Sequence, residues 1–194
     1  MFYGEKVKLR PLEESDLDNI LKHWNDWEIR RTLLLPVPMS RAMEQEWLHN
    51  AVRSSPFKDG RVIFAIEDKK THEFLGTTSL ESIRFHNGTA EFGIAIMNKA
   101  RLGMGYGTDT TTVMLWYGFH ILNLHSIYLR VMEYNKRGIR AYEKAGFKQV
   151  GRMRQQVFNE GKWHDIIIMD ILQPEFLEKF PPGTFVGEPP HEQK

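Results

Sequence analysis

Apolar positions along the chain switch between two periods, and the switches mark out its elements. Val7 and Leu9 alternate with Lys8 and Arg10 in "VKLRP" (7–11), the pattern of a strand with one buried face. Leu17, Ile20, Leu21 and Trp24 then recur at i, i+3, i+4 and i+7, which places them on one face of a helix. Ser15 stands where a cap is needed, with Asp18 three residues on. Pro36 and Pro38 interrupt the chain. Ser40 then caps a second helix, with Met43, Trp47, Leu48 and Ala51 facing inward. "RVIFAIED" (61–68) and "FLGTTSLESIRF" (74–85) read as strands, and Asn87-Gly88 predicts a hairpin turn into "TAEFGIAIM" (89–97).

In that last strand Ala90, Phe92, Ile94 and Ile96 form a plain core face. The opposite face carries Glu91, Gly93, Ala95 and Met97, and its small residues leave room for something to lie on the sheet. A helix runs on to about Ile121. Val113, Met114, Leu115, Trp116, Tyr117 and Phe119 crowd it with apolar side chains, which predicts burial on more than one side. "SIYLRVM" (126–132) is a strand, Asn135 caps the next helix, and Gly146 stops it. Segments 147–158 and 162–172 form a hairpin around Asn159-Glu160-Gly161. From Gln173 the chain turns polar and proline-rich, so the domain is expected over 1–172 with an irregular tail over 173–194. The order β-α-α-β-β-β-α-β-α-β-β mixes hairpins with helical crossovers, which makes the class α+β with a mixed sheet.

Composition narrows the chemistry. A chain of 194 residues with a net charge of +1 suits one domain and offers no electrostatic case for nucleic acid. No apolar run approaches a membrane span, and "MFYGEKVKLR" lacks the apolar core of a signal peptide. There is no cysteine, hence no disulfide, thiolate metal site or cysteine nucleophile. The histidines are scattered without an HxxxH or HExxH spacing, so no metal site is expected. A cytoplasmic location is the simplest fit.

The unusual stretch is "LGMGYGTDTTT" (102–112). Gly103, Gly105 and Gly107 fall at every second position, immediately before a helix. Glycine lets a ligand approach the backbone closely, and a helix start adds unpaired N–H groups and partial positive charge. Together these suit a phosphate. The stretch is not a P-loop, because Gly107 is followed by Thr108-Asp109 rather than Lys-Ser/Thr. Its GxGxG spacing after hairpin-connected strands also differs from a dinucleotide fingerprint.

Taken with its flanks, "AEFGIAIMNKARLGMGYGTDTTTVMLWYGF" followed by "LNLHSIYLRVMEYNKRGIRAYEKAGFKQVGRMRQ" resembles the two central motifs of the GNAT acyl-CoA N-acetyltransferases. The ending "GKWHDIIIMDIL" resembles the branch containing the ribosomal-protein alanine/serine N-acetyltransferases. The likeness spans roughly 5–172. It implies the GNAT fold, a mixed and mostly antiparallel sheet flanked by helices, and acetyl-CoA as co-substrate. The pyrophosphate would meet N–H groups of the loop residues Leu102, Gly103, Met104, Gly105, Tyr106 and Gly107. Leu102 stands where the family often has Gln or Arg, and Arg101 is one place too early. The strand before the loop would splay from its neighbour, exposing the Ile96 and Met97 backbone to pantetheine and supplying an N–H for the oxyanion. Asn135 would touch the cofactor as well as cap its helix. Tyr142 would protonate the departing CoA thiolate, and Glu91, directly or through water, would take a proton from the amine, with Glu81 a weaker candidate.

The acceptor that this resemblance suggests is a protein N-terminal α-amine. Chemistry lends it modest support. An α-amine titrates near ~7.7–8.0 and an alkyl amine near ~10.4, so the first needs less help to lose its proton. The alternatives are a polyamine such as spermidine, an aminoglycoside or, in another class, a CoA-binding regulatory module without catalysis. A polyamine would want several carboxylates. Asp16, Asp18, Asp26 and Glu28 could serve, although they also read as a solvated helix face. An edge strand in the last hairpin could support a homodimer.

Overall fold

Side chains alternate across a single sheet and feed a separate apolar cluster on each face. The computed structural model of the chain describes residues 1–33, 37–184 and 186–187. Its strands are β1 (Phe2–Tyr3), β2 (Val7–Pro11), β3 (Val62–Asp68), β4 (Phe74–Arg84), β5 (Thr89–Ile96), β6 (Ser126–Met132), β7 (Lys148–Asn159) and β8 (Lys162–Leu172). They lie in the order β1-β2-β3-β4-β5-β6-β8-β7. Every neighbouring pair is antiparallel except β5 and β6. A parallel pair needs a crossover, here supplied by α4 (Tyr106–Trp116) and the wider π-turn Tyr117–Ile121.

On one face Ala90 and Phe92 join Val113, Met114, Leu115, Ile127 and Phe147 in the larger cluster, with Ile94, Ile96, Ile139 and Tyr142 packed against it. On the other face Ala95 and Met97 meet Leu17, Ile20, Leu48 and Ala51. The latter come from α1 (Leu17–Trp24) and α3 (Arg41–Ala51). The room left by Ala95 is therefore taken by these helices. Helix α4 is buried on more than one side, as its sequence predicts, and Gly118 lets it close on β6: a Cβ there would stand 2.5 Å from Ile127 Cδ1.

Several local expectations are corrected. The entry to α1 is organised by Asp16 rather than Ser15. Its carboxylate accepts the Glu13 N–H at 3.0 Å and the Arg10 guanidinium at 2.7 and 2.8 Å, within a short 3-10 turn (Glu14–Asp16). Ser40 does cap α3, with Oγ accepting from the Met43 N–H, but Met43 itself is exposed and Glu44 takes the inward place. Strand β1 and the one-turn α2 (Trp27–Arg30), capped by Asp26, were not expected. Pro36 lies outside the described residues.

The segment after 172 opens with α6 (Gln173–Leu177) instead of an irregular tail. Phe176 is buried, and Thr184 O accepts the Trp116 indole N–H at 2.7 Å. Residues 188–194 lie outside the described residues.

Candidate active site

Strand register opens the site. β5 pairs with β6 only at Thr89–Ser126, Ala90–Ile127 and Glu91–Tyr128, whereas β4 follows β5 as far as Ile96. Beyond Glu91 the two parallel strands diverge. A cavity of about 470 Å³ fills the gap, lined by Phe92–Ile96 on one side and Arg130–Met132 on the other. Backbone groups alternate along a strand. Met97 donates its N–H to Leu75 O at 2.8 Å across the β4 side, so the groups of Phe92, Ile94 and Ile96 face the gap. The pair of residues expected at this edge thus divides: Ile96 presents its backbone to the cavity, and the N–H of Met97 is committed to the sheet.

The glycine loop closes one end of the cavity. Asn98 opens a 3-10 turn (Lys99–Arg101), and Leu102 donates its N–H to Lys99 O at 3.1 Å. Gly103 and Gly105 then adopt φ of +77° and +91°, which side-chain-bearing residues avoid. The N–H groups of Gly103, Met104, Gly105, Tyr106, Gly107 and Thr108 donate to no acceptor among the described residues. A Cβ on Gly103 or Gly107 would meet nothing within 4 Å, so the loop is bare on its open side. An array of free N–H groups at a helix start is what an anionic diphosphate requires. The side chains of Met104 and Tyr106 turn elsewhere. Met104 is exposed, and the Tyr106 hydroxyl donates to Asp68 in the interior, where desolvation of Asp68 is outweighed by hydrogen bonds that hold its carboxyl at about 2.

The remaining expected residues converge on the same cavity. Asn135 lines it while capping α5 (Lys136–Ala145), its Oδ1 accepting the Gly138 N–H at 2.9 Å. Tyr142 stands one turn before the end of α5, held edge-on by Phe92 and Phe147 with ring centroids 6.1 Å away in each case. Its hydroxyl makes no hydrogen bond among the described residues, and burial pushes its pKa up to about 12. Glu91 lines the cavity in a two-pronged pair with Arg130: Oε1 to Nε at 2.7 Å and Oε2 to Nη2 at 3.3 Å. Tyr128 OH adds a third bond, 3.3 Å to Oε2. Glu81 pairs across the sheet with Glu91 in register and accepts from Ser79 Oγ, but does not line the cavity.

Two parts of the wall escaped the sequence reading. Ile29, Thr32 and Leu33, on and after α2, line part of the cavity. This wall is pinned by contacts far along the chain. Tyr134 OH donates to Arg31 O at 2.6 Å, and Glu160 accepts from Arg31 Nη2 at 3.1 Å and Trp27 Nε1 at 3.2 Å. Arg137, Arg140 and Lys144 form the other part, a row on α5 at i, i+3 and i+7 without an acidic partner among the described residues. Their helical spacing was legible in the sequence; that this face borders a cavity was not.

Comparison with known proteins agrees with this geometry. Residues 6–148 match the family model of the acetyltransferase (GNAT) domain. The chain is 34% identical over 185 residues to a spermidine N(1)-acetyltransferase of Vibrio cholerae, covering 91% of this chain and 98% of the relative. It is 29% identical over 187 residues to the spermidine N(1)-acetyltransferase of Escherichia coli K12, covering 96% and 97%. A crystal structure of spermidine N-acetyltransferase from Vibrio cholerae in complex with CoA and spermine superposes with a TM-score of 0.80 at 29% identity, over 90% of this chain and 99% of that one. The chain belongs to the GNAT acetyltransferases and is an acetyl-CoA-dependent N-acetyltransferase.

Proposed function

We propose that the acceptor is a small polyamine of the spermidine class, in place of the protein N-terminus that the sequence suggested. The observation that carries this reading is the near-full-length similarity to spermidine N-acetyltransferases, which extends over the α2 wall as well as the acetyl-CoA loop. Local charge supports it. Asp26 and Glu28, beside Ile29 in the wall, share the single ammonium of Lys99 at 2.9 and 3.4 Å. Two carboxylates on one cation leave negative charge next to the wall residue Ile29, which favours a multiply charged amine. Asp16 and Asp18 do not contribute, since Asp16 is buried against Arg10 and Asp18 pairs with Arg41.

In this reading the acceptor nitrogen attacks the thioester carbonyl carbon. The new C–N bond forms, the C–S bond breaks, the amine proton passes to Glu91 or to a water beside it, and Tyr142 gives its proton to the leaving sulfur. The Ile96 N–H lies on the gap-facing edge of β5, where it can stabilise charge on the carbonyl oxygen. Oε2 of Glu91 already accepts two hydrogen bonds and Oε1 one, so an arriving proton has an open lone pair on Oε1. The raised pKa keeps Tyr142 protonated until a strong base develops beside it. Desolvation lifts the thiol as well, which narrows the mismatch between donor and leaving group.

The test is kcat/KM at fixed pH and salt for spermidine against a short peptide with a free N-terminal Ser or Ala, the products identified by mass spectrometry. Spermidine is expected to lead by at least about tenfold, roughly 1.4 kcal/mol of transition-state discrimination. A preference for the peptide would overturn the acceptor assignment and leave acetyl transfer standing.

A further inference from the structure

The free N–H groups of the glycine loop are useful only if they point the right way, and a glycine-rich segment has little of its own to fix them. Gly105 lacks a Cβ, and no side chain packs over Gly103 or Gly107. One contact fixes the loop from behind. Lys6, in the turn between β1 and β2, reaches across to the loop and donates from Nζ to Met104 O at 2.8 Å. That ammonium has no acidic partner among the described residues. If a Cβ were added to Gly105 it would stand 3.3 Å from Lys6 Nζ, so the cation lies directly beside the turn.

The backbone carrying this lysine is anchored to the same helix that the loop opens. Asp109, in the first turn of α4, accepts the N–H groups of Glu5, Lys6 and Val7 at 3.0, 2.8 and 2.9 Å. On the other side Lys6 O accepts the Lys69 N–H at 2.9 Å. The carboxylate of Asp109 therefore spends its charge on the 5–7 backbone, away from the loop. What faces the back of the loop is the lysine cation.

Peptide planarity turns this contact into an orientation. No described peptide bond is cis, and in a trans peptide the carbonyl and the following N–H point in opposite directions. Holding Met104 O toward Lys6 therefore aims the Gly105 N–H away from Lys6. Gly105 lines the cavity and Lys6 does not. We propose that Lys6 is a positioning residue for acetyl-CoA binding: its ammonium pins the Met104–Gly105 peptide so that the Gly105 N–H is presented to the diphosphate, and adds positive charge behind the loop. This rests on the placement of the acetyl-CoA diphosphate on the 103–108 loop. Lys6 touches neither the reacting atoms nor the acceptor wall, so its effect falls on the affinity for acetyl-CoA and not on the chemical step.

The experiment compares wild type, Lys6→Met, Lys6→Arg and Gly107→Leu. Acetyl-CoA affinity is measured by calorimetry, and KM for acetyl-CoA and kcat under saturating spermidine. Lys6→Met keeps the aliphatic stem and removes the donor and the charge. It is expected to weaken acetyl-CoA binding and raise its KM by about five- to tenfold, with kcat at saturation within about twofold. Lys6→Arg should recover most of the loss, and the weakening should persist at high salt, where a purely electrostatic contribution fades. Gly107→Leu puts a side chain into open space on the cavity side of the loop, so it should weaken binding whatever Lys6 does. Weak binding in Gly107→Leu together with unchanged affinity in Lys6→Met would overturn the role of Lys6 alone. Unchanged affinity in both would overturn the placement of the diphosphate. A fall in kcat in Lys6→Met with KM unmoved would also refute the positioning role.

Discussion

Replacing Tyr142 with Phe removes one oxygen and leaves a ring that still fits between Phe92 and Phe147. The hydroxyl has no hydrogen-bond partner among the described residues, so its loss leaves no orphaned group and the fold should be as stable at pH 7 within about 0.5 kcal/mol. The chemical step should suffer. Loss of a positioned proton donor costs on the order of 10²–10⁴ in rate, which is roughly 3–5 kcal/mol. Following thiol release with a chromogenic disulfide should show kcat down by at least about a hundredfold, with KM for acetyl-CoA little changed. A second reading uses the pKa. Tyrosine titrates near ~10 in an unfolded chain and Tyr142 at about 12 in the fold. The proton is thus held more tightly by the folded state. The contribution to stability is complete below pH ~10 and is lost as pH climbs through 12, amounting to roughly 3 kcal/mol. Denaturant unfolding of wild type minus Tyr142→Phe, followed across this range, should show that difference and cancel the titration of every other group. A Tyr142→Phe enzyme with kcat within threefold of wild type would remove Tyr142 from proton transfer, and matched alkaline stability curves would refute its buried titration.

Glu91→Gln should lower kcat by about tenfold or more and alter the pH profile of kcat/KM, measured with spermidine over the range where the fold is stable; an unaltered profile would leave Glu91 as the partner of Arg130 and nothing more. Asn135→Ala should cost about 1 kcal/mol of stability through the lost cap of α5 and raise KM for acetyl-CoA, as read by thermal unfolding and steady-state kinetics. Gly118→Ala should destabilise the fold by about 1–3 kcal/mol without changing kcat, because its Cβ would stand 2.5 Å from Cδ1 of the fully buried Ile127 and 3.3 and 3.6 Å from Leu80 Cδ1 and Leu124 Cδ1. Denaturant titration that finds Gly118→Ala as stable as wild type would contradict that packing.

What the sequence determined by itself was local. Alternation marked β2, β5 and β6 because a half-buried strand must alternate, and apolar runs between turn signals marked β3, β4, β7 and β8. Asn87-Gly88 marked the β4–β5 hairpin because Gly88 takes φ of +64°, and Ser40, Asn135 and Gly146 marked helix ends because the unpaired backbone groups there need partners. The glycine spacing at 103–107 already implied a bare loop at a helix start. Ser15 misled because capping residues are common and a nearby Asp with an Arg to hold is the stronger organiser; only the fold brings Arg10 to Asp16. The tertiary structure decided everything that depends on divergence or on contacts between distant segments. β5 and β6 part after Glu91, and that parting is a property of two strands and a crossover, not of either strand's residues. The α2 wall is too short to show a period, and is held by Tyr134 and Glu160, more than a hundred residues away in sequence. The orientation of the loop likewise depends on Lys6, which no pattern within 102–112 contains. Periodicity reports how a segment meets the core, whereas a binding site is made where segments fail to meet, and that is set by the whole sheet.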